Sequence, residues 1–341
     1  MSPTPSPTAS PTLSTSQGAR FARIMGVGTY RPRRIVDNEE ASRQIDSSDE
    51  WIRARTGIHT RRWAGPDETL AVMAEEAGAK AIAAAGITPA DITCVIAATF
   101  TYLKQTPAVA TDIAHRVGAR GAAAFDVSAG CAGFVHGVVL AADAVRSRGG
   151  HVLVVGVERM TDLLNLKDRS TAFIFGDGAG AVVIGPSETP AIGPAVWGAD
   201  GSQADAIEQT APWDVLRGAP GEEFPWMRQE GQRVFRWAVY EMAEVAAQAL
   251  EAAGITPADL DVFIPHQANV RIIDAMAKRI GLPDGVRVAK DIVTSGNTSG
   301  ASIPLAMDAV LASGEAKPGD TALLLGYGAG LSYASVVATM P

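Results

Sequence analysis

Apolar residues along this chain fall into runs of two kinds. Between 73 and 84, and again between 239 and 252, they recur at helical spacing. The stretches 94–99 (CVIAAT) and 262–264 (VFI) are short, largely apolar and uninterrupted, which predicts strands. Each helix-like run leads into the same heptapeptide, AGITPAD, at 85–91 and at 253–259, and each copy leads into one of the strands. Gly suits the position just after a helix and Pro the following turn, with Asp before the strand. Both copies therefore read as helix end, turn and strand start.

Two further pairs keep nearly the same offset. SAGCAG at 128–133 lies over SGNTSG at 295–300, and HVLVVG at 151–156 lies over TALLLG at 321–326. Three correspondences in one order predict a duplication, and a period this long means two α/β halves, because solenoid repeats are much shorter. The expected fold is α/β, with helix and sheet layers packed on one another. Residues 19–190 form the first half and 191–341 the second. Residues 1–18, MSPTPSPTASPTLSTSQG, lack the apolar segment of a secretory signal and predict a disordered tail. Duplicated halves bring equivalent turns near a pseudo-twofold axis, where a shared site can draw a residue from each.

Composition narrows the function. With 341 residues, 47% of them hydrophobic, the chain can bury a substantial core. A formal net charge of −8 argues against a general nucleic-acid binder. Apolar runs such as 152–157 and 322–325 fall far short of the roughly 20 residues that cross a bilayer, so no membrane segment is expected. Cys94 and Cys131 are the only cysteines, too few for a disulfide scaffold and without metal-ligand spacing. They predict a reducing cytoplasm and no metal.

Cys131 sits where a strand-like run ends near Val127 and a helical pattern begins. A cysteine at a helix start feels the helix dipole, which favours thiolate, and its own N–H can help hold an oxyanion. On local sequence alone it reads equally well as a nucleophile or as a small core residue. Cys94, inside a strand-like run, reads as structural. His266 follows a strand and precedes a helix, and Asn297 lies in the second-half counterpart of the cysteine turn. Taken singly, each reads as structural; their places at the ends of duplicated strands point to a site. A papain-like protease would also use Cys, His and Asn, but its cysteine motif near the start of the mature domain is missing and a two-half architecture does not suit it.

From about residue 21 to 341 the sequence closely resembles β-ketoacyl-acyl-carrier-protein synthase III, the initiating condensing enzyme of type II fatty-acid synthesis, which has a thiolase fold. The stretches that carry the resemblance are SSDEWIRARTGI, AFDVSAGCAGF, FGDGAGAVV, VFIPHQANVRII, SGNTSGAS and GYGAGLSY. GDGAG alone reads as a glycine turn, since no Walker-type lysine follows it. The resemblance implies a triad of Cys131, His266 and Asn297. The second catalytic cysteine usual in thiolases is missing from GYGAGLSY, and His followed by Asn, where elongating synthases use two histidines, favours the initiating class.

The resemblance further implies that an acyl-coenzyme A acylates Cys131, and that malonyl-acyl carrier protein then loses CO2 to an enolate held by His266 and Asn297. It puts the oxyanion on the N–H groups of Cys131 and Ala329. Trp51, Arg55, Arg169, Gly231 and Gln232 match coenzyme A contacts, although the family often has Asn where this chain has Gln232. Arg236, Arg271, Lys278 and Arg279 make a local basic patch for an acidic carrier protein, with Asp274 opposing it. A homodimer is implied, in which Thr106 of the partner lines the acyl pocket; a residue this small predicts room for branched or longer starters such as isobutyryl. The chemistry calls for no metal, nicotinamide or flavin. Alternatives are a polyketide starter synthase or acyltransferase of the same fold and, from another class, an inactive acyl- or carrier-binding scaffold.

Overall fold

In the protein's computed structural model, which describes residues 15–218 and 224–341, the repeated heptapeptide folds the same way twice. Gly86 and Gly254 follow their helices at φ of +69° and +73°, a left-handed conformation that glycine adopts without strain. The N–H and hydroxyl of Thr88 donate to the Asp91 carboxylate at 2.8 and 2.7 Å, and Thr256 and Asp259 repeat both bonds at the same lengths. The aspartate thus does more than precede the strand, because it closes the turn.

The elements around these turns are duplicated strand for strand. The first half supplies β1 (Phe21–Tyr30), β2 (Ile92–Ala98), β3 (Ala123–Val127), β4 (His151–Glu158) and β5 (Gly178–Ser187), in the order β1-β5-β4-β2-β3. The second supplies β6 (Val196–Ala199), β7 (Val262–Pro265), β8 (Arg287–Val288), β9 (Thr321–Gly328) and β10 (Ser332–Thr339), in the order β6-β10-β9-β7-β8. Directions match as well. β2 runs parallel to β3 and β4, β7 runs parallel to β8 and β9, and the remaining pairings are antiparallel. The two-half α/β expectation is met, and the division at 190 falls in the connection between β5 and β6.

Seven helices matter to the site: α1 (Asp49–Thr56), α2 (Leu70–Ala84), α3 (Val109–Arg116), α4 (Gly133–Arg148), α5 (Gly231–Ala252), α6 (Val270–Ile280) and α7 (Ser302–Ala312). Helices α4 and α7 lie between the sheets, where Phe134 and Ile303 join one apolar core with Ile96 and Val154 of the first sheet and Leu324 and Val336 of the second. Helices α2 and α3 cover the outer face of the first sheet, and α5 and α6 that of the second. Five layers result, with the central strands buried on both faces as their unbroken apolar runs predict. Helix α5 begins eight residues before the predicted 239, because Val234, Trp237 and Ala238 extend its buried face through an otherwise polar stretch. Of the expected tail, residues 1–14 lie outside the described residues. Residues 15–18 are exposed, with Gly18 running close to the Arg146 carbonyl, and the Ala19 N–H donates to Val145 at 3.1 Å.

The halves touch backbone to backbone at Gly156 of β4, where a Cβ would stand 2.2 Å from the Gly300 carbonyl oxygen. Neither group is a flexible side chain, so a methyl there forces strand and turn apart. Gly156→Ala is expected to lower unfolding stability by about 3 kcal/mol, read by chemical denaturation.

Candidate active site

Beyond β3 the chain makes a 3-10 turn over Gly130–Ala132, and α4 starts at Gly133. The equivalent turn of the second half, Ser299–Ala301, precedes α7, with Asn297 just ahead of it. His266 leaves β7 before α6. These three segments converge, and Cys131, His266 and Asn297 all line one cavity of about 410 Å³ whose apolar wall includes Phe100, Phe175, Ile207 and Met227. Ala329 lines it too. Gly328 lets the β9 end press on the cysteine turn, since a Cβ there would lie 2.9 Å from the Cys131 nitrogen. The N–H groups of Cys131 and Ala329 thus belong to abutting turns on one cavity.

Burial sets the protonation of these groups. Cys131 is 8% exposed, and burial pushes its thiol up to about 12, with the Ser299 hydroxyl pulling the other way. The helix-start effect is worth about 1 kcal/mol, well under the cost of an anion here, so the resting group is a thiol and not the expected thiolate. Burial also takes His266 down to about 3, which keeps it neutral. Its Nδ1 lies 2.7 Å from the Ser302 hydroxyl oxygen, which itself accepts the Gln267 N–H at 3.3 Å. With the Ser302 proton donated to Nδ1, the imidazole carries its hydrogen on Nε2.

Asn297 is held by both halves. Its N–H donates to Ile174 at 2.9 Å, and its carbonyl accepts from Gly176 at 3.0 Å. Its side-chain oxygen accepts the Ser299 N–H at 2.8 Å, which commits that oxygen and leaves the NH2 as the donor for whatever occupies the cavity. FGDGAGAVV is therefore a brace. Within it Asp177 accepts from the Ala64 N–H (2.7 Å) and from the Thr161 N–H (3.0 Å) and hydroxyl (2.8 Å), while burial raises its carboxyl to about 6.

A groove lined by Trp51, Arg55, Gly231, Gln232, Arg236 and Arg271 shares Gln229, Val234, Ala268 and Asn297 with the cavity, so the two are continuous. The guanidinium carbons of Arg169 and Arg55 lie 5.0 and 5.3 Å from the Trp51 ring, and Phe173 meets it edge-on at 5.4 Å. The indole is thus already engaged by two cations, which a stacking base must join or displace. Lys278 and Arg279 lie further along α6, outside the groove lining. Arg279 pairs with Glu244 at 3.5 Å and stacks 4.7 Å from the Tyr240 ring, while Asp274 is matched by Lys290 at 2.7 Å and does not oppose the basic face unpaired. Thr106 is exposed and lies outside its own chain's cavity. Among the described residues no helix is long and apolar enough to cross a membrane, and no group of three His, Cys, Asp or Glu residues is placed to hold a metal.

Sequence reasoning missed Ser299 and Ser302, although both lie in SGNTSGAS, and it missed Glu158 and Asp177. An acidic residue ending an otherwise apolar strand, as Glu158 does, was the available signal.

Two family models match the chain: 3-oxoacyl-[acyl-carrier-protein] synthase III over residues 125–201, and the C-terminal region of the same synthase over 250–340. A β-ketoacyl-[acyl-carrier-protein] synthase III of Streptomyces glaucescens is 61% identical, covering 96% of this chain and 98% of that protein. The mycobacterial β-ketoacyl-[acyl-carrier-protein] synthase III of Mycobacterium avium is 53% identical with the same coverage. Among solved structures, the priming β-ketosynthase of the R1128 polyketide pathway superposes with a TM-score of 0.95 at 49% identity, covering 97% of this chain and 99% of that one. The 3-oxoacyl-(acyl carrier protein) synthase III of Pseudomonas aeruginosa PAO1 superposes with a TM-score of 0.88 at 37% identity, over 94% and 99%.

Proposed function

Because this chain belongs to the β-ketoacyl-acyl-carrier-protein synthase III family, an acyltransferase family of condensing enzymes, we propose that it joins the acyl group of an acyl-coenzyme A to malonyl-acyl carrier protein through an acyl-Cys131 intermediate. The observation that carries this reading is the shared cavity of Cys131, His266 and Asn297, continuous with the Trp51 groove. Coenzyme A lies along that groove, its nucleotide near Trp51, Arg55 and Arg169 and its pantetheine arm past Gly231 and Gln232. The acyl carbon meets the Cys131 sulfur, and the oxyanion rests between the Cys131 and Ala329 N–H groups.

Coenzyme A departs and the malonyl carrier takes its place. As CO2 leaves, the enolate oxygen accepts hydrogen bonds from Nε2–H of His266 and Nδ2–H of Asn297. Neither donor needs a charge, which suits a site buried this deeply. The carbanion attacks the acyl-enzyme and releases a 3-oxoacyl carrier protein. Arg236 and Arg271 at the groove, with Lys278 and Arg279 beyond, receive the acidic carrier.

We also propose a homodimer in the cytoplasm. β3 is an open edge of the first sheet with Phe125 42% exposed, and Leu103 and Trp213, exposed by 48% and 47%, line one groove beside the catalytic cavity. A second copy on this face brings its Thr106 to the acyl pocket. Both cysteines are free, which suits a reducing compartment.

The test is to incubate the protein with acetyl-, isobutyryl- and longer acyl-coenzyme A, and to follow intact mass before and after adding malonyl-acyl carrier protein. Acylation on Cys131 followed by discharge to a 3-oxoacyl carrier is expected, with branched starters accepted. Acylation without condensation overturns the reading in favour of a plain acyltransferase. The likeness to a polyketide priming synthase supports a second reading with the same reaction, and preference for a polyketide over a fatty-acid carrier protein distinguishes it. Trp51→Ala should raise KM for acyl-coenzyme A about tenfold with kcat little changed, measured by initial rates, since stacking of this kind contributes about 1–2 kcal/mol.

A further inference from the structure

The short strand Thr60–Trp63 runs behind the segment 173–177 and binds its odd-numbered residues. Arg61 Nη2–H donates to the Phe173 carbonyl at 2.6 Å, Trp63 Nε1–H donates to the Phe175 carbonyl at 3.3 Å, and the Asp177 N–H donates to the Arg62 carbonyl at 2.8 Å. The even-numbered residues face the other way. Ile174 and Gly176 hold the backbone of Asn297, so 173–177 is a spacer one chain thick between Arg61 and the catalytic amide. The strand also grips the chain that leads to Asn297, since the His59 N–H donates to the Val293 carbonyl at 2.8 Å and the Thr60 hydroxyl to the Thr294 carbonyl at 3.0 Å.

Holding a turn does not call for a buried cation. Arg61 is completely buried, and among the described residues no carboxylate pairs with it; its partners are the carbonyls of Phe173 and Val36 and the Asn38 side-chain oxygen, at 2.6, 3.4 and 2.7 Å. Its Nε–H has no partner. A charge buried in this way works against stability, and an apolar side chain of the same size would avoid the loss. The surroundings of Arg61 supply the reason for it. Its stem lies between the segment that carries Asn297 and the segment that holds it, because a Cβ on Gly296 would stand 2.9 Å, and one on Gly176 3.2 Å, from the Arg61 Cβ. Through Asn38, whose Nδ2–H donates to Asp49 at 2.8 Å, the same guanidinium is tied to the first turn of α1, which carries Trp51.

We propose that Arg61 is a positioning residue for the condensation step: its guanidinium fixes the segment 173–177, and that segment sets the Asn297 amide where the enolate forms. The proposal rests on the condensing function given above. Arg61 does not line the cavity and acts only through backbone. A guanidinium carries its donors in one rigid plane, so bonds to three oxygens on three segments leave the side chain a single orientation. An ammonium or an apolar group lacks that fork. Attack of Cys131 on the acyl thioester does not draw on the Asn297 amide, whereas loss of CO2 does, so the two steps should respond differently to a change at Arg61.

The experiment separates the two steps in Arg61→Met, which keeps an unbranched side chain and removes the fork. With saturating acetyl- or isobutyryl-coenzyme A, whichever acylates the wild type faster, Cys131 acylation followed by intact mass should stay within about threefold of wild type. Discharge of the acyl-enzyme by saturating malonyl-acyl carrier protein should fall about 30-fold in single turnover, the size of loss that a small misplacement of a catalytic group brings. In an Asn297→Ala background the same substitution should lower condensation by no more than about twofold further, because no amide is left to position. A side chain that only held the fold together would slow both steps and would add its full loss in either background. If Arg61→Met does not fold, Trp63→Phe replaces it; this variant removes the bond to Phe175 and should give the same selective loss at about fivefold. Unchanged condensation, an equal fall in both steps, or a full further loss in Asn297→Ala overturns the positioning role and leaves the condensing function intact. Failure of wild-type Cys131 to acylate with any donor overturns both.

Discussion

Cys131→Ala is expected to show no acyl adduct with any acyl-coenzyme A and to lose condensing activity by at least about 10⁴-fold, measured by intact mass and by 3-oxoacyl product formation. Removing the nucleophile of an acyl-transfer site has effects of this order, because the remaining groups act only on an intermediate that no longer forms. The same variant should still release CO2 from malonyl-acyl carrier protein. His266 and Asn297 take their orientation from Ser302 and Ser299 and not from the thiol, so the donors to the enolate stay in place. Loss of both half-reactions together would mean that Cys131 holds the cavity's shape, and that its chemical role is wrongly assigned.

Asn297→Asp separates the half-reactions the other way. Acylation should stay within a few-fold of wild type, and condensation should fall by about 10³-fold or more in single-turnover measurements. The aspartate is nearly isosteric and keeps an oxygen for the Ser299 N–H, so the turn survives. Its other atom replaces an N–H donor with an oxygen that repels the enolate. Loss of one such donor costs about 3 kcal/mol in barrier, and a like charge in a buried site adds to it. An equal fall in both steps would instead assign Asn297 to holding the segment 174–176 in place, which its backbone bonds to Ile174 and Gly176 already do.

Local patterns were enough for the architecture. AGITPAD could be read as helix end, turn and strand start because Gly, Thr, Pro and Asp act over four or five residues, as the bonds of Thr88 and Thr256 bear out. The duplication was legible because three segments kept their order and offset, and the placement of Cys131, His266 and Asn297 at strand ends followed from it. The start of α5 was not legible, since Val234 and Trp237 are buried by the layer beneath them. Nor was the condition of Trp51, whose arginine neighbours include Arg169, 118 positions away along the chain.

By itself, then, the sequence determined the two-half α/β plan and which turns would carry a thiol, an imidazole and an amide. Those properties depend on apolar periodicity and on turn chemistry within a few residues. The tertiary structure alone decided the state of those groups. Cys131 is a thiol, His266 is neutral and Glu158 sits near the point of ionisation because five layers exclude water around them. A charge's stability depends on what surrounds it in space, and the bond from Ser299 to Glu158 spans 141 residues of sequence.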